Sequence, residues 1–306
     1  MDVIRARRRG FTLVELLTVV AVIGLLLAIL VPALGQAGKA AQSVKCLSNM
    51  RQLFLGWNMY ADAYDDRIVA HKPPNLPGGT ANPRNHYEIG NGKKFRPPWI
   101  AMMGHFVGIF PFSNPSTTDS RQDYEGDLFV CPAAPERIDE RNHCWGYNYQ
   151  FLGNARLRPN GKYTNWPVKR TSLIAPANTV LCADAMGTAA GIAESMRTAY
   201  QNNGTTYTSV GNHAYTLDPP RLTSQSDMGT GDPGPNARSA VDARHGHRAN
   251  VLFIDGHGDP MSPYDLGYRM DPDGKFLLGT ESGSDPPTNA LFSGAGIDRD
   301  PPPRSL

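Results

Sequence analysis

Near the N-terminus, residues 11–34 read FTLVELLTVVAVIGLLLAILVPAL, and 19 of these 24 residues are apolar. As an α-helix the stretch would extend about 36 Å at 1.5 Å per residue, enough to cross the hydrocarbon core of a bilayer. Ahead of it, Arg5, Arg7, Arg8 and Arg9 face a single acid, Asp2. The excess of arginine keeps this end cytoplasmic and sends everything beyond about residue 35 to the far side. No later stretch approaches spanning length, so the expectation is a single-pass protein with an exported domain. The rest of the 306 residues dilute the segment to 40% hydrophobic content and a mean hydropathy of -0.38, which excludes a polytopic membrane protein.

One residue does not fit a plain anchor. Glu15 is a lone carboxylate in an otherwise apolar helix, and ionised groups at mid-bilayer cost about 2.5 to 3.5 kcal/mol, so such a charge usually has a partner. A secretory signal peptide would have a shorter apolar run followed by a small-residue cleavage site, for which Ala33-Leu34-Gly35 offers a loose match. A signal anchor would need no acid at all.

The string Gly10-Phe11-Thr12-Leu13-Val14-Glu15 after a short basic leader resembles the type IV pilin and type II secretion pseudopilin family. The resemblance implies cleavage by prepilin peptidase after Gly10 and N-methylation of Phe11. It also implies assembly through Glu15, whose carboxylate would meet the Phe11 amine of a neighbouring subunit. Methylation leaves that amine charged, so the pairing would offset the burial of both charges. Gly24 and Pro32 permit local bending of the helix, and Pro32 removes one helical hydrogen bond.

Downstream, residues 44–66 place Leu47, Met50, Phe54, Trp57, Ala61 and Tyr64 at spacings of three and four, the signature of an amphipathic helix with one apolar face. Together with 11–34 this matches a pilin stalk. The wording KCLSNMRQLFLGWNMYADAYDDR resembles a subset of prepilin-like proteins that carry a C-terminal H-x9-DG segment, here His245 and Asp255-Gly256 in RHGHRANVLFIDGH. Short apolar runs around 127–131, 145–152, 179–184 and 249–255 read as strands. The fold expected is α+β and pilin-like, a long N-terminal helix against a small antiparallel sheet with long loops. Its parts are a leader (1–10), a transmembrane and assembly helix (11–34), an amphipathic helix (35–66), a head (67–266) with insertions at 71–98 and 187–240, and a flexible tail (267–306). The tail is inferred from its six Pro and six Gly, and the loops from 57 Gly and Pro in the whole chain.

Candidate chemistry is sparse. Ten residues of extended chain cover about 33 Å, so His245 and Asp255 cannot share an ion unless the chain folds back. A tighter set, Asp255, His257 and Asp259, could offer two carboxylates and an imidazole to a divalent cation such as calcium. The turn Asp271-Pro272-Asp273-Gly274 lacks the regular acids of a calcium loop. Of four cysteines, Cys131 and Cys144 would close a short loop between strand-like segments and are candidates for a disulfide in an oxidising compartment, while Cys46 and Cys182 read as buried small hydrophobes. Paired CxxC spacing is absent, as are GxSxG, HExxH and a phosphate loop, so no enzyme is expected.

Charge adds one exclusion. The formal charge is +2, and the leader alone carries +3, so the exported part stands near -1 and nucleic acid is not an expected partner. The function implied by the resemblance is a structural subunit, minor or specialised, of a type IV pilus or a secretion pseudopilus. It would sit in the inner membrane with a periplasmic head, and its partners would be prepilin peptidase, other pilins or pseudopilins, and the assembly platform. The alternative is a membrane-tethered binding module that never polymerises.

Overall fold

The computed structural model describes residues 11–153, 156–157, 163–164, 168–223, 239–277, 279 and 281–301. The chain divides into two compact units, Met1–Ala41 and Gln42–Leu306. The architecture is α+β, with a long N-terminal helix and antiparallel sheets, as in a pilin.

Helix α1 (Leu13–Ala63) begins in the first unit. Thr12 and Glu15 form a reciprocal cap at its start: the Thr12 backbone N–H and hydroxyl both donate to Glu15 Oε2, at 2.9 and 2.8 Å, and the Glu15 N–H donates back to Thr12 Oγ1 at 3.2 Å. The apolar side chains between Leu13 and Leu34 are exposed, with no protein packed on them.

Within the head, α1 buries Cys46, Asn49, Met50, Leu53, Gly56, Trp57 and Ala61. Met50, Trp57 and Ala61 belong to the face expected from spacing. The buried stripe is rotated by about one residue, so Leu47 and Phe54 flank it and Tyr64 is half exposed. The helix ends at Ala63, before the expected residue 66, because Asp65 and Asp66 adopt left-handed φ of 55° and 62°. Arg170 clamps that end, its Nη2 2.7 Å from Asp62 Oδ1 and its Nε 3.0 Å from Asp66 Oδ1.

Strands β1 (His86–Glu88) and β2 (Lys93–Phe95) make a hairpin, and helix α2 (Trp99–Phe106) follows. The 71–98 segment is therefore partly regular and partly buried, with Ile89 and Phe95 inside, rather than a plain surface loop. Helix α2 is apolar on almost every side and so shows no period in the sequence. It is locked against α1 at Gly56, where a Cβ would come within 2.5 Å of the Met103 carbonyl oxygen.

Strand β3 (Trp145–Tyr147) leads into the short helix α3 (Tyr149–Leu152); β4 (Arg156–Leu157) and β5 (Tyr163–Thr164) pair apart from the main sheet. That sheet contains β3, β6 (Val180–Gly187), β7 (Ala240–Val241), β8 (Ala249–Phe253) and β9 (Gly258–Met261), all antiparallel, in the order β3-β6-β8-β9 with β7 also on β6. Trp145 faces Asp184 across the ladder, and Ala183 faces Val251. The expected strand at 127–131 is instead a 3-10 turn, Asp127–Phe129. That turn sends both Leu128 and Phe129 into one core.

Both faces of the sheet are covered. Leu181, Cys182, Leu252 and Ile254 join Met50, Leu53, Trp57 and Trp99 in one core. Val180, Ala183, Val251 and Phe253 join Leu266, Tyr268 and Phe292 in a second. This explains why β6 and β8 are buried along nearly their whole length instead of alternating. It also corrects the expectation of a flexible tail: the Val180 N–H donates to the Leu291 carbonyl at 2.7 Å, and Phe292 is fully buried. The second face of the sheet is apolar and needs that cover. Part of the 187–240 excursion is folded as well, with Leu217 in the second core; residues 224–238 lie outside the described set.

Candidate functional site

Two parts of the molecule carry the candidate residues. At the N-terminus, Gly10 lies outside the described residues. Phe11 is 73% exposed, and Glu15 is held by the Thr12 cap. The capped carboxylate is thereby satisfied within one chain. The exposed apolar surface that follows it is what a bilayer or neighbouring helices would cover.

In the head, the H-x9-DG stretch is a single structural device. His245 sits in a tight turn before β8, where its N–H donates to the Arg248 carbonyl at 2.9 Å and Gly246 and His247 have positive φ. Most of the intervening residues form β8, which holds His245 and Asp255 at opposite ends. Asp255 then closes the β8–β9 turn: its Oδ1 accepts the His257 N–H at 3.1 Å and lies 2.6 Å from His257 Nδ1. Gly256 has φ +90°, and a Cβ there would meet the Phe54 ring at 2.4 Å. The hairpin tip is pressed against α1, and only glycine fits.

Asp255, His257 and Asp259 do not come together as metal ligands, because Asp259 lies on β9 opposite Val251 while the Asp255 carboxylate is engaged in its own turn. Among the described residues, the side chains that do converge are Cys46, Cys131, Asp184 and His245, whose ligand atoms lie within 4.8 Å of one another and which are all buried. Cys46 comes from α1, Cys131 follows the 127–129 turn, Asp184 is on β6 and His245 precedes β8. Cys131 Sγ is 3.4 Å from His245 Nε2, His245 Nε2 is 3.3 Å from Asp184 Oδ2, and Cys46 Sγ is 3.7 Å from Asp184 Oδ1. Asn49 helps to place Cys131 by donating from Nδ2 to the carbonyls of Asp127 and Val130, at 2.6 and 3.2 Å.

The expected Cys131–Cys144 bridge is not formed; all four cysteines are free thiols. Cys131 turns its sulfur toward His245, and Cys144 Sγ accepts the Cys131 backbone N–H at 3.2 Å. Cys182 is a buried small side chain in the sheet, as anticipated. Cys46 is buried too, but it is in polar contact with Asp184 and receives the Trp145 indole N–H at 3.3 Å.

The cluster is electrostatically unusual. A hydrogen bond from Cys46, with His245 and Arg244 adding to it, holds the Cys131 thiol well below its ordinary range despite burial. Burial pushes Asp184 up to about 6, against the pull of Arg244 and His245. Burial opposes the charged His245 ring, but Cys131 and Asp184 outweigh it and raise its pKa. Arg244 lies alongside, its Nη1 3.8 Å from Asp184 Oδ1 and its Nε 3.2 Å from Asp242 Oδ2, while Arg137 makes a 2.8 Å pair with Asp242. Asp184 and Cys46 are the residues that sequence reasoning missed. The available signal was an acid in the middle of the apolar strand TVLCADAM.

A family model for the prokaryotic N-terminal methylation motif matches residues 5–31. The chain carries a type IV pilin-like prepilin signal. That signal spans the basic leader, the Gly10-Phe11 junction and the Thr12–Glu15 cap, and it implies processing by prepilin peptidase. With the exposed apolar helix it makes the prepilin-like protein membrane-anchored. No curated protein and no solved structure matches the chain.

Proposed function

We propose that this prepilin-like protein is a structural subunit, minor or specialised, of a type IV pilus or a type II secretion pseudopilus. Prepilin peptidase cuts between Gly10 and Phe11 and the new terminus is N-methylated. The chain then waits as a single-pass protein of the cytoplasmic membrane, its head on the periplasmic side, and enters the filament through its N-terminal helix. It has no catalytic role of its own. The observation that carries this reading is the methylation-motif match over residues 5–31, on a helix whose apolar residues stay uncovered. Glu15 supports it: a carboxylate satisfied locally by Thr12 can cross the bilayer interface in one subunit and exchange to a neighbour's terminal amine on docking. The minor or specialised assignment rests on the head, whose 71–98 and 187–240 excursions add bulk that dense helical packing of a major subunit would have to accommodate. The H-x9-DG segment serves here as the lock between the sheet and the stalk helix.

The test is expression with prepilin peptidase and the assembly machinery, followed by mass measurement of the membrane protein and of sheared filaments. A terminus at N-methyl Phe11 and recovery in filaments is the expected result. Glu15→Ala should be processed and exported normally yet fall at least tenfold in filament fractions. An intact Met1 terminus, or a terminus at Gln36 from cleavage after Gly35, would refute the assignment. Unchanged distribution of the Glu15→Ala protein would instead favour a tethered binding module that never polymerises.

A further inference from the structure

We propose that Cys46, Cys131, Asp184 and His245 bind one zinc-class divalent ion, a closed structural centre that ties the stalk helix to the sheet of the head.

Geometry is the first support. Ligands at about 2.3 Å (sulfur) and about 2.0–2.1 Å (nitrogen, oxygen) around a tetrahedral ion stand roughly 3.3–3.8 Å from one another. Three of the contacts between the four side chains are 3.3, 3.4 and 3.7 Å, and their ligand atoms all lie within 4.8 Å of one another. Four donors therefore stand close enough together to close on one such ion.

The donor set is the second. Two sulfurs and an imidazole are soft and borderline donors that suit zinc, which also accepts a carboxylate oxygen, whereas calcium and magnesium take oxygen alone. All four residues are buried, so no corner is open to substrate, and the centre is structural rather than catalytic.

Charge is the third. Two thiolates and a carboxylate bring three negative charges into an interior where each is costly unless compensated. A divalent ion and the Arg244 guanidinium together supply three positive charges, and Arg137 is left to neutralise Asp242. The surroundings fit a ligated state as well: the Asn250 backbone N–H donates to Asp184 Oδ2 at 2.7 Å and the Trp145 indole N–H to Cys46 Sγ at 3.3 Å, outer partners that orient the ligands.

The centre does not depend on filament assembly and is tested on the full-length protein extracted from membranes in detergent. Native mass spectrometry and elemental analysis should find one zinc per chain, with the ion replacing two thiol protons. Exchange for cobalt(II) should give thiolate-to-cobalt charge-transfer bands and the visible bands of a tetrahedral site. Cys46→Ser should lower zinc at least tenfold, Cys182→Ser should leave it at one per chain, and His245→Cys, which keeps a ligand at that corner, should retain it. No zinc under metal-replete purification overturns the proposal. So does a Cys46–Cys131 disulfide, seen as a chain two hydrogens lighter and joined in non-reducing peptide maps. Should Cys46→Ser fail to fold, the stoichiometry and cobalt spectrum of the unmodified protein still decide.

Discussion

One helix is treated in opposite ways along its length. Between Leu13 and Leu34 its apolar side chains are exposed, whereas between Cys46 and Ala61 a polar-interrupted stripe is buried almost completely. Both stretches are helical, so local propensity does not separate them. What separates them is the solvent each expects: the first is apolar on all sides, as lipid or neighbouring helices require, and the second is apolar on one face, as a sheet requires. The lesson is that exposure of an apolar surface in a lone chain marks a surface meant for something else, here a bilayer and other subunits.

The sharpest way to break this comparison is to truncate one side chain in each stretch. Trp57→Ala removes a fully buried indole that donates to the Tyr147 hydroxyl, and should cost the head about 3–5 kcal/mol, read as a lower urea midpoint. Leu26→Ala in the exposed stretch should leave that midpoint unchanged within about 0.5 kcal/mol. Equal losses would refute the division.

A second test concerns the contact that holds the hairpin tip on the buried stretch. Gly256→Ala places a Cβ against Phe54 at a left-handed backbone, and should cost about 2 kcal/mol by the same measurement.

Acid provides a third. Burial holds His143 and His213 neutral, each with its pKa lowered to about 3 against an ordinary value near 6.5. Between these values the unfolded chain binds more protons than the folded one, so their contribution is complete above pH about 6.5 and is lost as pH falls toward 3. The head should lose about 1–2 kcal/mol per histidine at pH 5, and His213→Asn, which tolerates the left-handed backbone there, should flatten the profile. Helical signal from the apolar stretch, which holds no histidine, should not follow that profile.

The smallest effect should come from Arg170→Ala at the end of α1. Its ion pairs with Asp62 and Asp66 are partly solvated, so the loss should be about 1 kcal/mol or less and shrink further in high salt.

Much of this is legible in the residues. The 24-residue apolar run, the arginines before it and the Gly10-Phe11-Thr12-Leu13-Val14-Glu15 string are local patterns, and local patterns survive whatever the rest of the chain does. Spacing of three and four placed the stalk helix, although the buried stripe lies one residue around from the expected one because Gly56 lets α2 approach on that side. Helix α2 was illegible because a helix covered on nearly every side has no polar face. The tail misled because its Pro and Gly describe turns, while the burial of Phe292 follows from an apolar sheet face far away in sequence.

The division between the two sources of information follows the range of the forces involved. Sequence alone determined that the chain is membrane-anchored, that it bears a prepilin-like signal, and that a helix and short antiparallel strands make its head, because hydrophobic length, charge bias, short motifs and periodicity act over a few turns. Only the tertiary structure decided where His245 finds its partners. Ten residues of extended chain already set the imidazole apart from Asp255, and β8 does hold those two apart, but it is chain folding that delivers Cys46, Cys131 and Asp184 to it from three other segments. No spacing encodes that meeting, since each residue is placed by a different packing contact: α1 against the sheet, the turn held by Asn49, and the register of β6 beside β8.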